Sequence, residues 1–236
     1  MLGSTLSKTK KADVLGRIHE DGIIPILRTP TAEDALELAE VLRTAGVRSL
    51  EIPLTVPRAI DVIQELSVSF SPDLVVGAGT VITMDDVIAV HEAGASFIVM
   101  PVFDHSIIAY CRTNGLGCFP GGLTPTEILT AWTSGADAVK VFPVSAMGGA
   151  EYIKAVKAPL PQITLMPTGG ITVQNAAKFI QAGAWALGVG GDLTDVEAIR
   201  SGKSNLIHER AELYLEIVRE ARTQRNLTTP PPAPRP

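Results

Sequence analysis

Eight short apolar runs alternate along the chain with longer amphipathic segments, at a spacing of about 20 to 25 residues. The runs span residues 22–27, 49–52, 74–77, 96–100, 117–119, 138–142, 163–167 and 184–189. Eight strands that are each followed by a helix are typical of a closed parallel barrel of about 250 residues. No glycine-rich nucleotide turn follows the first run, which disfavours an open doubly wound sheet. We therefore predict an α/β fold, a single (β/α)8 barrel.

The segments outside these units predict the domain boundaries. Residues 1–10 are expected to be a flexible N-terminus, and residues 11–20 an extra N-terminal helix that covers the bottom of the barrel. The barrel domain is expected over residues 11–223, with a final helix near 208–222. Residues 224–236 are rich in proline, which cannot continue a helix, and are predicted to be a disordered tail.

Composition excludes several classes of function. The net charge is -5, and the Lys and Arg residues are scattered, so no basic face is available for nucleic acid. No apolar stretch approaches the length of a membrane span, and the amino terminus lacks the apolar core of a secretory signal. The two cysteines, Cys111 and Cys118, are too few for a disulfide framework or a zinc site, and we expect reduced thiols in a cytoplasmic protein.

Lys140 lies inside the sixth apolar run, where a buried strand is predicted. Burial favours a neutral amine, because desolvation penalises the ammonium. A neutral amine can attack a ketone and form a Schiff base, so this position indicates covalent carbonyl chemistry. The alternative is a lysine at a strand end that reaches solvent.

Polar residues stand at the carboxyl ends of other predicted strands, where barrels of this kind carry their active sites. Arg28 ends the first, Glu51 lies in the second and Thr80 follows the third. With Lys140 they would supply a proton shuttle and a carboxylate clamp for a keto acid. A structural alternative is a buried ion pair between Glu51 and Lys140 that only fixes the packing of the barrel.

Two glycine pairs follow the last two strands. Gly169 and Gly170 come after Thr168, and Gly190 and Gly191 end the eighth run. Backbone N–H groups at these strand ends often bind phosphate, and glycine lets the backbone approach an anion closely. The alternative is that each pair forms only a tight turn.

Five motifs carry a resemblance to a known family. They span residues 51–55, 77–81, 120–127, 140–143 and 167–171. Together they resemble the 2-keto-3-deoxy-6-phosphogluconate (KDPG) aldolases, a family that includes the 6-phosphogalactonate and the 4-hydroxy-2-oxoglutarate (KHG) aldolases, over about residues 12 to 222. The resemblance implies a class I lyase, with no metal ion or cofactor, whose small-molecule keto-acid substrate is a phosphorylated 2-keto-3-deoxy sugar acid that it cleaves to pyruvate and glyceraldehyde 3-phosphate. It also implies a homotrimer.

The resemblance further implies roles for individual residues. Lys140 would be the Schiff-base lysine, and Glu51 the general acid and base that works through water. Thr80 would bond the carboxylate of the substrate. The remaining positions would line the pocket, with Pro101 and Phe142 as its walls, and Thr168, Gly169, Gly170, Gly190 and Gly191 toward the phosphate.

Three positions depart from the commonest family pattern. Thr55 stands where many members have a carboxylate-binding arginine, and Arg28 is the best replacement because its planar fork suits a carboxylate. Gly191 replaces a phosphate-binding serine, and Asp192 beside it either points away or indicates a different terminal anion. Met100 replaces a serine before Pro101 and is expected to make the mouth more apolar.

Two further hypotheses compete with the phosphorylated substrate. In one, the same barrel acts on a keto acid whose aldehyde half is unphosphorylated or carries another anion. In the other, the barrel is catalytically silent and serves as a trimeric assembly or ligand-sensing module. Retention of both Glu51 and Lys140 speaks against the silent barrel.

Overall fold

The computed structural model describes residues 11–228, with side chains described through residue 225. Eight strands occur at the eight predicted places, which confirms the barrel rhythm. They are β1 (Ile23–Pro25), β2 (Ser49–Pro53), β3 (Val75–Gly79), β4 (Phe97–Val99), β5 (Gly117–Phe119), β6 (Val139–Val141), β7 (Leu165–Pro167) and β8 (Leu187–Val189). Every strand is buried along its whole length, as expected for parallel strands covered by helices.

The strands follow one another around a cylinder. Parallel ladders join β1 to β8, β2 through to β5, and β6 to β7. Three isolated parallel bridges connect these ladders: Ile26 with Glu51, Gly121 with Lys140, and Thr168 with Gly188. The strand order therefore closes on itself as the predicted (β/α)8 barrel requires.

Ten α-helices lie in the described part of the chain. They are α1 (Lys11–Asp21), α2 (Ala32–Thr44), α3 (Ala59–Ser69), α4 (Met84–Glu92), α5 (His105–Asn114), α6 (Pro125–Thr133), α7 (Ala150–Lys157), α8 (Ala176–Gln181), α9 (Val196–Arg200) and α10 (Ser204–Thr228). Thr31, Thr83, Asp104 and Thr124 begin α2, α4, α5 and α6, each with a side-chain oxygen that accepts a backbone N–H of the first turn.

The last helix extends further than the sequence predicts. It runs to Thr228, so residues 224–228, assigned to the tail, are helical instead. No proline or glycine occurs between Arg222 and residue 228, so the sequence offers no reason for the helix to stop where the tail was predicted to begin. The predicted flexible residues 1–10 and the rest of the tail, 229–236, lie outside the described residues.

Side chains pack in two separate clusters. Alternate strand residues such as Phe97, Phe119 and Met166 fill the inside of the barrel, and Val14 and Ile18 of α1 close its lower end. The intervening residues face outward and pack against the helices. The predicted cover of the barrel bottom by an N-terminal helix is therefore confirmed.

Within residues 11–228, no helix is long and apolar enough to cross a membrane. The same residues contain no group of three or more His, Cys, Asp or Glu side chains arranged to bind a metal ion.

Candidate active site

The three bridges that complete the barrel involve three of the predicted site residues, Glu51, Lys140 and Thr168. Each faces the inside of the barrel near the carboxyl end of its strand, on the carboxyl side of the apolar side chains that fill the interior. Polar side chains from β2, β6 and the end of β7 therefore face the same space at the mouth of the barrel.

Lys140 lies inside the barrel and not on its outer surface. Its residue exposure is 6%, and it pairs with Met166 of β7 in the β6–β7 ladder. Its backbone is held on both sides, because its N–H donates to the Pro120 carbonyl at 2.8 Å and its carbonyl accepts from the Gly122 N–H at 2.9 Å. The solvent-exposed alternative is therefore wrong.

Glu51 is almost fully buried, with 1% exposure. Neither carboxylate oxygen has a hydrogen-bond partner among the residues that the structure describes, so Glu51 and Lys140 do not form the structural ion pair considered above. Burial raises the pKa of Glu51, and the positive charges of Lys140 and Arg28 partly offset this effect. A buried carboxyl group without a protein partner is costly, and such groups mark functional sites.

Arg28 and Thr80 stand at the neighbouring strand ends. Arg28 follows β1 with an exposed side chain, and its positive charge lowers the pKa of Glu51. Thr80 follows β3 with φ of 58°, a left-handed conformation that β-branched residues rarely adopt. Such strain is typical of functional sites, where the surrounding structure holds it in place.

Phe142 and Pro101 are the two residues expected to form walls of the pocket. Phe142 is 41% exposed, and the centroid of its ring lies 5.5 Å from Nζ of Lys140. Pro101 is half-buried, and a Cβ at Gly121 would lie 2.3 Å from its carbonyl oxygen. The end of β5 thus approaches Pro101 closely only because residue 121 has no side chain.

The glycine-rich loops lie beyond Thr168. Gly169 and Gly170 have φ of 98° and 73°, which favours glycine over any other residue. A Cβ at Gly190 or Gly191 would meet no atom within 4 Å, so the second pair borders open space. Packing therefore leaves room for a ligand group at Gly190 and Gly191.

Asp192 points away from this space. Its Oδ2 accepts hydrogen bonds from the Tyr214 hydroxyl at 2.6 Å and from the Val173 N–H at 3.2 Å. Its Oδ1 lies 3.7 Å from Nη1 of Arg210. The carboxylate is therefore directed at α10 and balanced by a guanidinium, and of the two alternatives for Asp192 the first is confirmed.

Met100 does not face the mouth. It is fully buried in the outer cluster, whereas Phe97 and Val99 of the same segment face the inside. Side chains alternate along a strand, so residue 100 must point toward the helices. The prediction of a more apolar mouth was wrong for this reason.

Some residues near the site had no assigned role in the sequence. Asn175 braces the first glycine loop, because its side chain donates to the Gly170 carbonyl at 2.8 Å and accepts from the Thr172 N–H at 2.9 Å. Ser145 lies beside the same loop, where a Cβ at Gly170 would come within 2.7 Å of it. A serine or an asparagine in a loop carries no distinctive signal, so only the folded structure relates them to the site.

Comparison with known proteins agrees with the geometry. A model of the KDPG and KHG aldolase family matches residues 14–209. The 2-dehydro-3-deoxy-6-phosphogalactonate aldolase of Escherichia coli is 36% identical over 84% of this chain and 95% of its own length. The 2-dehydro-3-deoxy-phosphogluconate aldolase of Treponema pallidum is 32% identical over 83% and 93%.

Solved structures give the same result. A KDPG aldolase from Legionella pneumophila, with pyruvate captured as a covalent carbinolamine, superposes with a TM-score of 0.78 at 31% identity and covers 87% of this chain and 98% of its own. Because the family model spans most of the chain, and because the E. coli relative exceeds 30% identity over most of its length, this protein belongs to the KDPG and KHG aldolase family.

Proposed function

We propose that this protein is a class I aldolase that cleaves KDPG-type substrates to pyruvate and glyceraldehyde 3-phosphate, with Lys140 as the Schiff-base residue. The observation that carries the proposal is the burial of Lys140 and Glu51 at one barrel mouth, with the carboxylate left without a protein hydrogen-bond partner. The carbinolamine in the Legionella relative supports covalent chemistry on pyruvate.

In the first step, the Lys140 amine attacks the C2 ketone of the substrate. The resulting carbinolamine loses water and becomes an iminium. Arg28 and Thr80 bind the C1 carboxylate, and the loops at Gly169–Gly170 and Gly190–Gly191 bind the terminal phosphate. These contacts fix C3 and C4 relative to Glu51, and positioning of this kind lowers the barrier by reducing the entropy lost in the reaction.

In the second step, Glu51 accepts the C4 hydroxyl proton through a water molecule. The C4 oxygen forms the aldehyde, the C3–C4 bond breaks, and its electron pair moves into the iminium to give a neutral enamine. After the aldehyde leaves, Glu51 returns a proton to C3. Water then hydrolyses the new iminium to pyruvate and the free Lys140 amine.

The test is cleavage of a panel of 2-keto acids, with release of pyruvate as the readout. The panel comprises KDPG, its C4 epimer 2-keto-3-deoxy-6-phosphogalactonate, 4-hydroxy-2-oxoglutarate and the unphosphorylated 2-keto-3-deoxygluconate. We expect the highest kcat/KM for a phosphorylated sugar acid. If the unphosphorylated compound is the best substrate, the result favours the alternative in which the aldehyde half carries no phosphate, which the open space at Gly191 also accommodates. If the protein cleaves none of the four compounds, the proposal is contradicted.

Arg28 is proposed to replace the missing arginine at Thr55. We expect Arg28→Gln to raise KM about 10- to 100-fold, because a charge-assisted hydrogen bond is worth about 1.5 to 3 kcal/mol. Its charge also lowers the pKa of Glu51, so the acid limb of the kcat/KM profile should move to higher pH in this variant. Arg28→Lys is the matched control. It keeps the positive charge, so the acid limb of the kcat/KM profile should stay in place, but it loses the planar guanidinium that binds a carboxylate through two hydrogen bonds. An unchanged KM in Arg28→Gln would remove Arg28 from the site.

We also propose that the protein is a homotrimer. Large apolar side chains are exposed on three consecutive units of the barrel: Ile60 at the start of α3 is 42% exposed, Ile82 before α4 is 55% and Val102 before α5 is 52%. A second copy of the chain would cover these three side chains. A solved structure with a TM-score of 0.77, a protein cage designed by fusing symmetric oligomeric domains, supports such an assembly.

Sedimentation equilibrium tests the trimer. We expect the mass of three protomers, and we expect Ile82→Glu to shift the mass to one protomer because a carboxylate would be buried in the interface. Val68→Glu is the control, since Val68 is equally exposed, at 57%, but lies at the far end of α3. A monomeric wild-type protein would contradict the proposal.

A further inference from the structure

The inner wall of the barrel mouth contains a glycine beside the Glu51 carboxylate. A Cβ built on Gly79 of β3 would lie 1.9 Å from Oε1 of Glu51, 2.5 Å from its Cδ and 2.7 Å from its Cγ. Real Cβ atoms essentially never approach other heavy atoms so closely, so any side chain at residue 79 would force Glu51 to move. The carboxylate therefore occupies the space that a side chain at residue 79 would fill.

Backbone conformation does not explain this glycine. Gly79 is not among the positive-φ residues of the described chain, and it pairs regularly with Pro53 in the β2–β3 ladder. An L-residue could adopt the same conformation, so the requirement for glycine is one of space alone. Glu51 itself is buried, with 1% exposure, so a displaced carboxylate would have to take a different position within the mouth of the barrel.

We propose that Gly79 is a positioning residue for the aldol cleavage. Because it has no side chain, it leaves the space in which the Glu51 carboxylate is held at the mouth of the barrel. This inference rests on the proposed function, since it assigns Gly79 to the Glu51 step. Gly188, which forms an isolated bridge with Thr168, repeats the arrangement: a Cβ there would lie 2.3 Å from Oγ1 of Thr168, a buried hydroxyl that also has no partner among the described residues.

The test compares two alanine variants of the inner wall. Gly79→Ala should lower kcat about 100-fold, because a displacement of about 1 Å in a reacting group can cost this much. The acid limb of its pH profile should also move, because the carboxylate shifts relative to the charges of Lys140 and Arg28. Gly117→Ala is the matched control: its Cβ would lie 2.8 Å from Cβ of Phe97, an apolar neighbour, so it should lose thermal stability and keep the wild-type kcat and pH profile.

A rescue experiment separates positioning from general damage. Glu51→Asp shortens the side chain by one methylene and withdraws the carboxylate from the space of the new methyl group. The double variant Gly79→Ala/Glu51→Asp should therefore be more active and more stable than the two single losses predict when added together. Additive losses, or a Gly79→Ala enzyme with wild-type kcat and pH profile, would overturn the inference.

The two proposals fail in distinguishable ways. If the wild-type protein cleaves none of the keto acids, the proposed function fails and the assignment of Gly79 to catalysis fails with it. The stabilities of Gly79→Ala, Glu51→Asp and the double variant, compared for non-additivity, would still decide whether Gly79 provides the space for the carboxylate. If the wild-type protein cleaves a keto acid and Gly79→Ala is unaffected, only the positioning role is overturned.

Discussion

The Lys140→Met variant is expected to lose cleavage activity by a factor on the order of 10⁴ or more, because removal of the nucleophile eliminates the covalent pathway. Methionine keeps the length and apolar stem of the side chain, so the barrel wall should remain packed. Incubation with pyruvate and borohydride should place a reduced adduct on the peptide containing Lys140 in the wild-type protein. The variant should show no adduct there.

Lys157 provides the sharpest control for this experiment. Burial, with a smaller contribution from the charge of Arg225, lowers the pKa of its ammonium to about 8, so part of its amine is neutral under assay conditions. It lies at the end of α7, away from the carboxyl ends of the strands. Its Nζ donates there to the Pro161 and Ile163 carbonyls, which precede β7. Lys157→Met should keep activity and adduct. An adduct on Lys157, or activity that survives in Lys140→Met, would contradict the mechanism.

Glu51→Gln is expected to lower kcat by about 10² to 10⁴, the usual contribution of a positioned acid or base. Glutamine keeps the shape and cannot accept the C4 hydroxyl proton. In the wild-type protein the acid limb of kcat/KM should report the raised pKa of Glu51, and this limb should disappear in the variant. Borohydride trapping with pyruvate should still label Lys140, which separates the loss of the base from the loss of the nucleophile.

Although Glu51→Gln should lower kcat, we expect it to raise the stability of the folded protein at neutral pH. A carboxyl whose pKa is raised on folding binds its proton more tightly in the native state, so wild-type stability falls as pH rises from the unfolded pKa through the folded pKa. The variant carries no such charge and should melt at a higher temperature than the wild type at neutral pH. The difference should vanish at low pH. A less stable variant at neutral pH would contradict the burial of an ionised Glu51.

Much of the fold was predictable because the barrel repeats one local pattern. Each strand is buried on both faces and therefore appears as a short apolar run, and the runs recur at regular spacing. Lys140 was identifiable for the same reason, since a cation within such a run is unusual. The capping threonines Thr31 and Thr124 likewise act within a few residues of their own position.

Other features could not be predicted from the sequence, because their patterns are too short or because they depend on which way a side chain points. Helix α9 has five residues, fewer than two turns, and shows no clear amphipathic period. The orientation of Met100 depends on the phase of β4, which a one-residue error in the strand boundary reverses. The contacts of Asp192 join it to a helix that begins twelve residues later, and no local pattern indicates them.

The amino-acid sequence by itself determined the barrel, the order of its strands and the residue types at the strand ends, because these follow from local hydrophobic periodicity and from motifs within single βα units. Only the tertiary structure decided which side chains share the mouth of the barrel, which way Asp192 points, and why residue 79 has no side chain. Those facts arise from contacts between different strands, loops and helices, where the packing is so close that a single Cβ at residue 79 would overlap the Glu51 carboxylate.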